Sequence, residues 1–381
     1  MKAIVYHGNK DVRFDSEFPE PKIIHPTQVK IKVDYCGICG SDLHEYIDGP
    51  IFFKNEYNAI SHNYYQQVMG HEISGEIVEL GAEADPQLKV GQKVVVEATG
   101  TCVDKAMLEE KELSQCGSCS QGYTNACDFI SFYGLGFDNG GFSEYMVIGD
   151  HHLIPYPEEL LPPDIAALTE PLAVGWHGVR TSPIKPGESA LILGAGPIGL
   201  STIFALKGNN IGLKNIVICE PAAARRKLAA SFGVTVFDPS PFNDDESKLT
   251  QELLRLSSDG WGFHHIYDCS GNKVTFDMSI SALRTGGTAT NLAIWHHKPI
   301  PFYPMDLTLH EKFITGSMCY TRRDFEQVIQ AYKDGLINPE EVKTLITAKI
   351  PIESGFKDGF LELVNHKDKH IKILVTPHLH S

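Results

Sequence analysis

The 381-residue sequence has no Asn-X-Ser/Thr acceptor, no internal repeat and no low-complexity tract. Its first residues, Met-Lys-Ala-Ile-Val-Tyr-His-Gly, lack the apolar core of a secretory signal. Positive charge is scarce: 33 Lys and Arg stand against 48 Asp and Glu, a formal net charge of -15. That balance argues against nucleic acid, which selects basic patches, and against anionic membrane surfaces. Long apolar runs are also scarce. Residues 189–206 come closest to a membrane span, but three glycines and a proline fall within six residues of that stretch. A buried strand, a turn and a buried helix account for it better. With no glycosylation site and no leader expected, a reducing compartment, the cytoplasm, fits the nine cysteines. Clustered thiols there are expected to hold metal rather than form bridges.

The length suggests two domains, and two regimes are visible. Up to about residue 163 the chain carries short β-type runs such as Val29 to Val33, Glu76 to Leu80 and Lys93 to Glu97, punctuated by glycine. This predicts an antiparallel, barrel-like domain. Residues 55–67 and 103–115 are polar and aperiodic and read as loops, the second inserted within a cysteine group. From Asp164 strands and helices alternate. Strands are expected at 190–193, 216–219, 234–237, 265–269, 287–293 and 313–317, and helices at 197–207, 222–232, 246–256 and 274–283. Alternation of this kind predicts a doubly wound parallel sheet. The tail holds a helix-like run at 324–333 and a last strand at 371–375, and is expected to return to the first domain. The expected division is 1–164 with 319–381 as a catalytic domain, and 165–318 as a nucleotide-binding domain.

Gly194-Ala-Gly196-Pro197-Ile198-Gly199 directly follows the run Ala-Leu-Ile-Leu and opens a helix. In that context the first glycine serves the tight turn, the second lets a pyrophosphate approach, and the third lets helix and strand pack closely. The helix N-terminus then faces the phosphates. Glu220 lies 21 residues after Gly199, at the end of the next expected strand. A carboxylate there accepts hydrogen bonds from ribose hydroxyls and repels the 2′-phosphate of NADP. Arg225 and Arg226 pull the other way, since an arginine near this ribose accommodates that phosphate. The carboxylate is expected to dominate and the cofactor to be NAD, with Arg225 at its site.

Two cysteine-containing groups carry metal chemistry. Cys116-Gly-Ser-Cys119 and Cys127 form a C-x2-C-x7-C group, and Cys102 lies 14 residues before Cys116. Four thiolates make a closed structural zinc site, in a lobe expected at about 98–130. The second group is Cys36-Gly-Ile-Cys39-Gly-Ser41-Asp-Leu-His44, then Gly70-His71-Glu72, then Glu170-Pro. Cys39, His71 and one of the carboxylates, Glu72 or Glu170, suit a zinc ion with an open position. One thiolate and one carboxylate neutralise the ion, and a neutral site of this kind polarises an alcohol oxygen. Cys36 offers the same chemistry as Cys39 and is expected to face the core. Ser41 and His44 sit where a hydroxyl and an imidazole can conduct a proton toward solvent, and Glu72 can act through zinc-bound water. The adjacent pairs His151-His152, His264-His265 and His296-His297 are expected to point to opposite faces and make no site. Cys219, Cys269 and Cys319 are expected in strands as core residues.

Together these motifs resemble the zinc-containing medium-chain alcohol dehydrogenases, over nearly the whole chain. The resemblance implies a GroES-like catalytic domain beside a Rossmann domain, NAD, one catalytic and one structural zinc per subunit, and a cytosolic homodimer or homotetramer. In that family the cysteine run has its first cysteine three residues before the second, a position held here by Leu113. The resemblance therefore implies that Cys102 substitutes across the insertion. Glu170, where the primary-alcohol branch has cysteine, marks the polyol and butanediol branch. The segment Ser41 to Phe52, the insertion after Cys102, Asp268-Cys-Ser-Gly271 and Pro304-Met-Asp-Leu-Thr-Leu look closest to the fungal butanediol dehydrogenases. The activity implied is hydride transfer between a short vicinal diol or hydroxyketone and NAD. Sorbitol-type polyol oxidation is the alternative among enzymes, and an NAD-binding sensor or structural protein is the alternative outside them.

Overall fold

A computed structural model describes residues 1–52, 66–109, 112, 114–209, 215–242, 244–295, 299–366 and 368–379. The chain forms two compact units. The first comprises Met1–Glu170, Thr321–Lys333 and Asn338–Ser381; the second comprises Pro171–Tyr320 and Asp334–Ile337.

The first unit is built on the strand Gln28–Gly37. Its alternation buries Val29, Ile31 and Val33 completely and leaves the lysines between them partly exposed, the period-two pattern of a sheet with one covered face. This strand pairs antiparallel with Glu72–Leu80, Tyr145–Gly149 and Lys372–Thr376. The sheet continues through Lys93–Val96 to Leu153–Pro155 on one side and through Ile346–Pro351 on the other. The result is the barrel-like, mostly antiparallel fold that the glycine-punctuated runs suggest. Two smaller sheets lie outside it, Asp11–Asp15 with Ala3–Gly8 and Gln67–Val68, and Thr99–Gly100 with Ser131–Phe132. The expected loop at 55–67 falls mostly outside the described residues, and Gln67 belongs to a strand.

Three expectations change here. The insertion after Cys102 begins as a helix, Cys102–Leu108, not a loop. Thr101 explains it: its side chain accepts from the Val103 amide while Asp104 accepts from the Thr101 amide at 2.7 Å, a reciprocal cap that starts a helix in a polar stretch. The tail contains a further strand, Ile346–Pro351, parallel to Lys372–Thr376. Cys319 lies beyond the strand Phe313–Gly316, in a backbone turn with φ of 43°, and is only partly buried.

The second unit holds six parallel strands in the order Thr235–Phe237, Ile216–Cys219, Ala190–Leu193, Phe263–Asp268, Leu283–Asn291 and Phe313–Gly316. The central strands Ala-Leu-Ile-Leu and Ile-Val-Ile-Cys are buried throughout, as a sheet covered on both faces requires. The strand order reverses at Ala190–Leu193, the place where such sheets bind nucleotides beyond the strand ends. The last strand is an edge, and all four of its residues are exposed. No helix among the described residues is long and apolar enough to cross a membrane.

Candidate active site and metal centres

In the first unit, the strand Gln28–Gly37 delivers Cys39 to the start of the helix Gly40–Asp48. Gly37 pairs in register with Glu72, and a Cβ on Gly37 would sit 2.0 Å from Glu72 Oε2. The glycine leaves room for the carboxylate to turn inward. One ligand atom each from Cys39, His71 and Glu72 lies within 4.8 Å of the others. Ser41 Oγ is 3.2 Å from His71 Nε2. Ser41 and His44 are three apart on the same helix, so they share a face. Glu170 is buried and adds to the negative field on His71, but is not in the three-residue group.

Two side chains not anticipated from the sequence complete this cluster. Asp42 Oδ2 accepts from the Cys39 amide at 2.9 Å, and its Oδ1 lies 3.6 Å from His71 Nδ1. That separation is too long for a hydrogen bond and within ion-pair range. It sets the carboxylate behind the imidazole, on the side where carboxylates support metal-bound histidines. Lys372, 2% exposed along its side chain, donates to Glu72 Oε1 and to the Ile38 carbonyl. The family-like run Ser-Asp-Leu-His held a signal for Asp42. A lysine opening the run Lys-Ile-Leu-Val-Thr gave none for burial.

The electrostatics fit a cation. Burial alone would lower the His71 pKa, yet Asp42, Cys39 and Glu170 raise it to about 10. Burial lifts Asp42 to about 6. Asp42 Oδ1, His71 Nδ1 and Glu72 Oε2 are buried with no hydrogen-bond partner among the described residues, a costly state for polar atoms. A thiolate, an imidazole and an unsatisfied carboxylate oxygen form a donor set suited to zinc. Cys36 is fully buried, and burial pushes its thiol well above the ordinary value, so it stays with the core.

The second cysteine group also converges. Sulfurs of Cys102, Cys116, Cys119 and Cys127 all lie within 4.8 Å of one another. Amides point at them: Cys116 Sγ accepts from Asp128 at 3.4 Å and Cys119 at 3.5 Å, and Cys127 Sγ accepts from Cys102 at 3.3 Å and Phe129 at 3.4 Å. Those amides draw Cys116 down to about 6, while burial pushes Cys119 and Cys127 up. Four sulfurs packed this closely suit a closed tetrahedral zinc site, which deprotonates such thiols. Cys102 opens the helix Cys102–Leu108, and its sulfur lies with the other three; position 113 lies outside the described residues.

A third convergence corrects the reading of adjacent histidines. His151 and His152 lie in a tight helical turn, Asp150–His152, not in a strand, and both reach Asp104. His152 Nε2 is 2.7 Å and His151 Nε2 3.4 Å from Asp104 Oδ1. His152 Nδ1 is 2.7 Å from the Glu97 carbonyl, which requires it to donate, so Nε2 needs a proton to face the carboxylate. Burial opposes that charge, but Asp104 outweighs it and raises His152 to about 10. A proton satisfies the pair, which ties the insertion helix to the barrel. His264 and His265 contact Ser189 and Glu188 separately, and 296–297 lie outside the described residues.

In the second unit, Gly194 has φ of 99°, a conformation that favours glycine. A Cβ on Gly199 would meet the Gly194 carbonyl oxygen at 1.9 Å. Gly196, Pro197 and Ile198 stand at the start of the helix Pro197–Gly208, so its free amides suit a pyrophosphate. Glu220, 5% exposed, accepts from the Ala195 amide at 2.7 Å and the Ala222 amide at 2.8 Å. Arg225 Nη1 comes within 3.8 Å of where a Gly196 Cβ would be.

Residues 25–158 match the alcohol dehydrogenase GroES-like domain and residues 197–334 the zinc-binding dehydrogenase domain. The chain is 46% identical to a Saccharomyces cerevisiae protein described as (R,R)-butanediol dehydrogenase, covering 100% of this chain and 99% of that one. It is 45% identical to a probable diacetyl reductase, (R)-acetoin forming, of the same yeast, covering 100% of this chain and 91% of that one. Among solved structures it resembles 2R,3R-butanediol dehydrogenase from Bacillus subtilis at 33% identity and a TM-score of 0.85, over 99% of both chains.

Proposed function

The chain belongs to the zinc-binding alcohol dehydrogenases, and from that premise we propose that it interconverts (R,R)-2,3-butanediol and acetoin with NAD as hydride carrier. The observation that carries this reading is full-length identity of 45–46% to the two yeast proteins, joined to the grouping of Cys39, His71 and Glu72. Zinc would supply the Lewis acidity that lowers the pKa of the reacting hydroxyl, and NAD would supply the hydride acceptor. Cys39, His71 and one glutamate, Glu72 or Glu170, would hold the catalytic ion; Cys102, Cys116, Cys119 and Cys127 would hold the structural one. Asp42 keeps the His71 ring in place. Ser41 Oγ would accept the hydroxyl proton while releasing its own, and His44, one turn on, would carry that released proton to solvent. Lys372 holds Oε1 of Glu72, and Oε2, with no hydrogen-bond partner among the described residues, would be available to a cation. Gly194 and Gly199 let the turn and the helix pack closely, Gly196 would let the cofactor's phosphates approach the Ile198 and Gly199 amides at the helix start, Arg225 would add positive charge, and Glu220 would take the ribose hydroxyls.

The exposed edge strand supports a homo-oligomer. Phe313 is 59% exposed on a strand that ends the sheet among the described residues, an edge that a second copy would cover. The clustered free thiols support a cytoplasmic setting.

The deciding experiment follows NADH formation with the three butanediol stereoisomers, sorbitol and simple 2-alcohols, and NADH consumption with acetoin. The expected result is the highest kcat/KM for the (R,R) diol. Rapid sorbitol oxidation without butanediol activity would transfer the assignment to polyols.

A further inference from the structure

The strand ends beside the glycine-rich turn carry two carboxylates, not one. Cys219 and Phe237 are register partners in adjacent parallel strands. The next residues along the chain bring Glu220 and Asp238 to the same edge, and the Glu220 amide donates to the Phe237 carbonyl at 3.1 Å. Arg226 lies between them. Its Nη2 is 2.6 Å from Asp238 Oδ2, and its Nη1 donates to the carbonyls of Glu220 and Pro221. Asp238 is itself held, because Oδ1 accepts from the Ser240 amide at 3.0 Å. The guanidinium is thus engaged on both arms. Its neighbour Arg225 reaches the glycine-rich turn instead.

We propose that Asp238 is a positioning residue for cofactor choice: by pinning Arg226, it withholds the cation that would otherwise receive a 2′-phosphate. Rejection of NADP then has two parts. Glu220 repels the phosphate directly, and Asp238 removes its natural partner. Arginine is suited to bidentate phosphate recognition, so an unpinned Arg226 at this edge favours NADP. The inference rests on the NAD reading above and extends it to residues outside the glycine-rich fingerprint.

A double-mutant cycle on the full-length protein tests it, using 5′-ADP and 2′,5′-ADP as probes in titration calorimetry. These probes read the adenosine end of the site without turnover. The wild type should bind 5′-ADP the more tightly. Glu220→Ser should move the preference toward 2′,5′-ADP by about tenfold, the scale of one charged contact. Asp238→Asn alone should move it less than about threefold, since Glu220 still repels. The double variant should exceed the product of the singles by about fivefold or more, a coupling of neighbouring charges. D238E in the Glu220→Ser background should restore the single-variant preference, and Arg226→Gln in the double variant should abolish the gain. Thermal melts check that each variant is folded.

Additive effects, or a gain that survives Arg226→Gln, would overturn the role of Asp238 while leaving the NAD reading intact. A wild type that prefers 2′,5′-ADP would overturn both.

Discussion

Replacing Lys372 with methionine tests how the catalytic cluster balances its charge. The Lys372 and Glu72 side chains are 2% and 1% exposed, so neither charge is screened by water. Methionine keeps the volume and removes the ammonium. Glu72 is then a buried carboxylate beside Asp42, Glu170 and the Cys39 thiol. Breaking a buried pair from one side costs about 3–5 kcal/mol. For a unit of this size that corresponds to a fall in Tm of roughly 6–20 °C. The cost should be largest in protein stripped by a chelator and smaller with zinc, because the ion replaces part of the lost positive charge. Glu72→Gln combined with Lys372→Met should recover much of the loss, since no unpaired charge remains. Calorimetry or circular-dichroism melts of the wild type and the two variants, with and without zinc, provide the measurement. A single variant within about 1 kcal/mol of the metal-free wild type would refute the reasoning, as would a double variant no better than the single.

Other outcomes follow from the same geometry. Ser41→Ala should lower kcat on the order of 10²-fold with zinc and NAD binding retained; unchanged kcat where chemistry limits turnover removes Ser41 from the proton path. Cys116→Ser should cost one zinc per chain and lower Tm, whereas Cys39→Ser should cost the other zinc and the activity, both read by metal analysis and melting. His152 is raised from 6.5 to about 10, so its contribution to stability is full below about pH 6.5 and disappears as pH climbs through 10. Asp104 is held well below its ordinary value, so its contribution is present above about pH 4 and lost only in stronger acid. Denaturant midpoints should therefore fall between pH 7 and 10 in the wild type and stay flat over that range in His152→Gln; equal slopes in both would refute the protonated pair.

The parallel sheet and its nucleotide edge were legible in the sequence because their signals are local. The runs Ala-Leu-Ile-Leu and Ile-Val-Ile-Cys are apolar at every position, and the glycine turn is contiguous with the strand and helix it joins. The convergence of Cys39, His71 and Glu72 was legible as a set of residue types, since each sits in a short motif. Its electrostatic support was not, because Lys372 meets Glu72 across 300 residues of chain and only tertiary packing makes that contact. The insertion helix was missed for a different reason. Its cap at Thr101 and Asp104 precedes a polar run with no apolar period, so periodicity had nothing to report. The histidine pair was misjudged because a tight helical turn, unlike a strand, sends neighbours to the same side.

The sheet of the first unit also imposes an order of events on synthesis. Its central strand, Gln28–Gly37, waits for a partner, Lys372–Thr376, that is made after every strand of the second unit. At about 5–20 residues per second, the 300 residues between Glu72 and Lys372 take roughly 15–60 s to make. Throughout that interval the carboxylate has no ammonium, and the sheet lacks at least the strand Lys372–Thr376. The second unit, whose strands all lie within Pro171–Tyr320, has every piece it needs before the first unit does. The unit that holds Gln28–Gly37 is completed after the other, and a nascent chain halted before residue 372 carries a finished parallel sheet and a Cys39, His71 and Glu72 cluster still without Lys372.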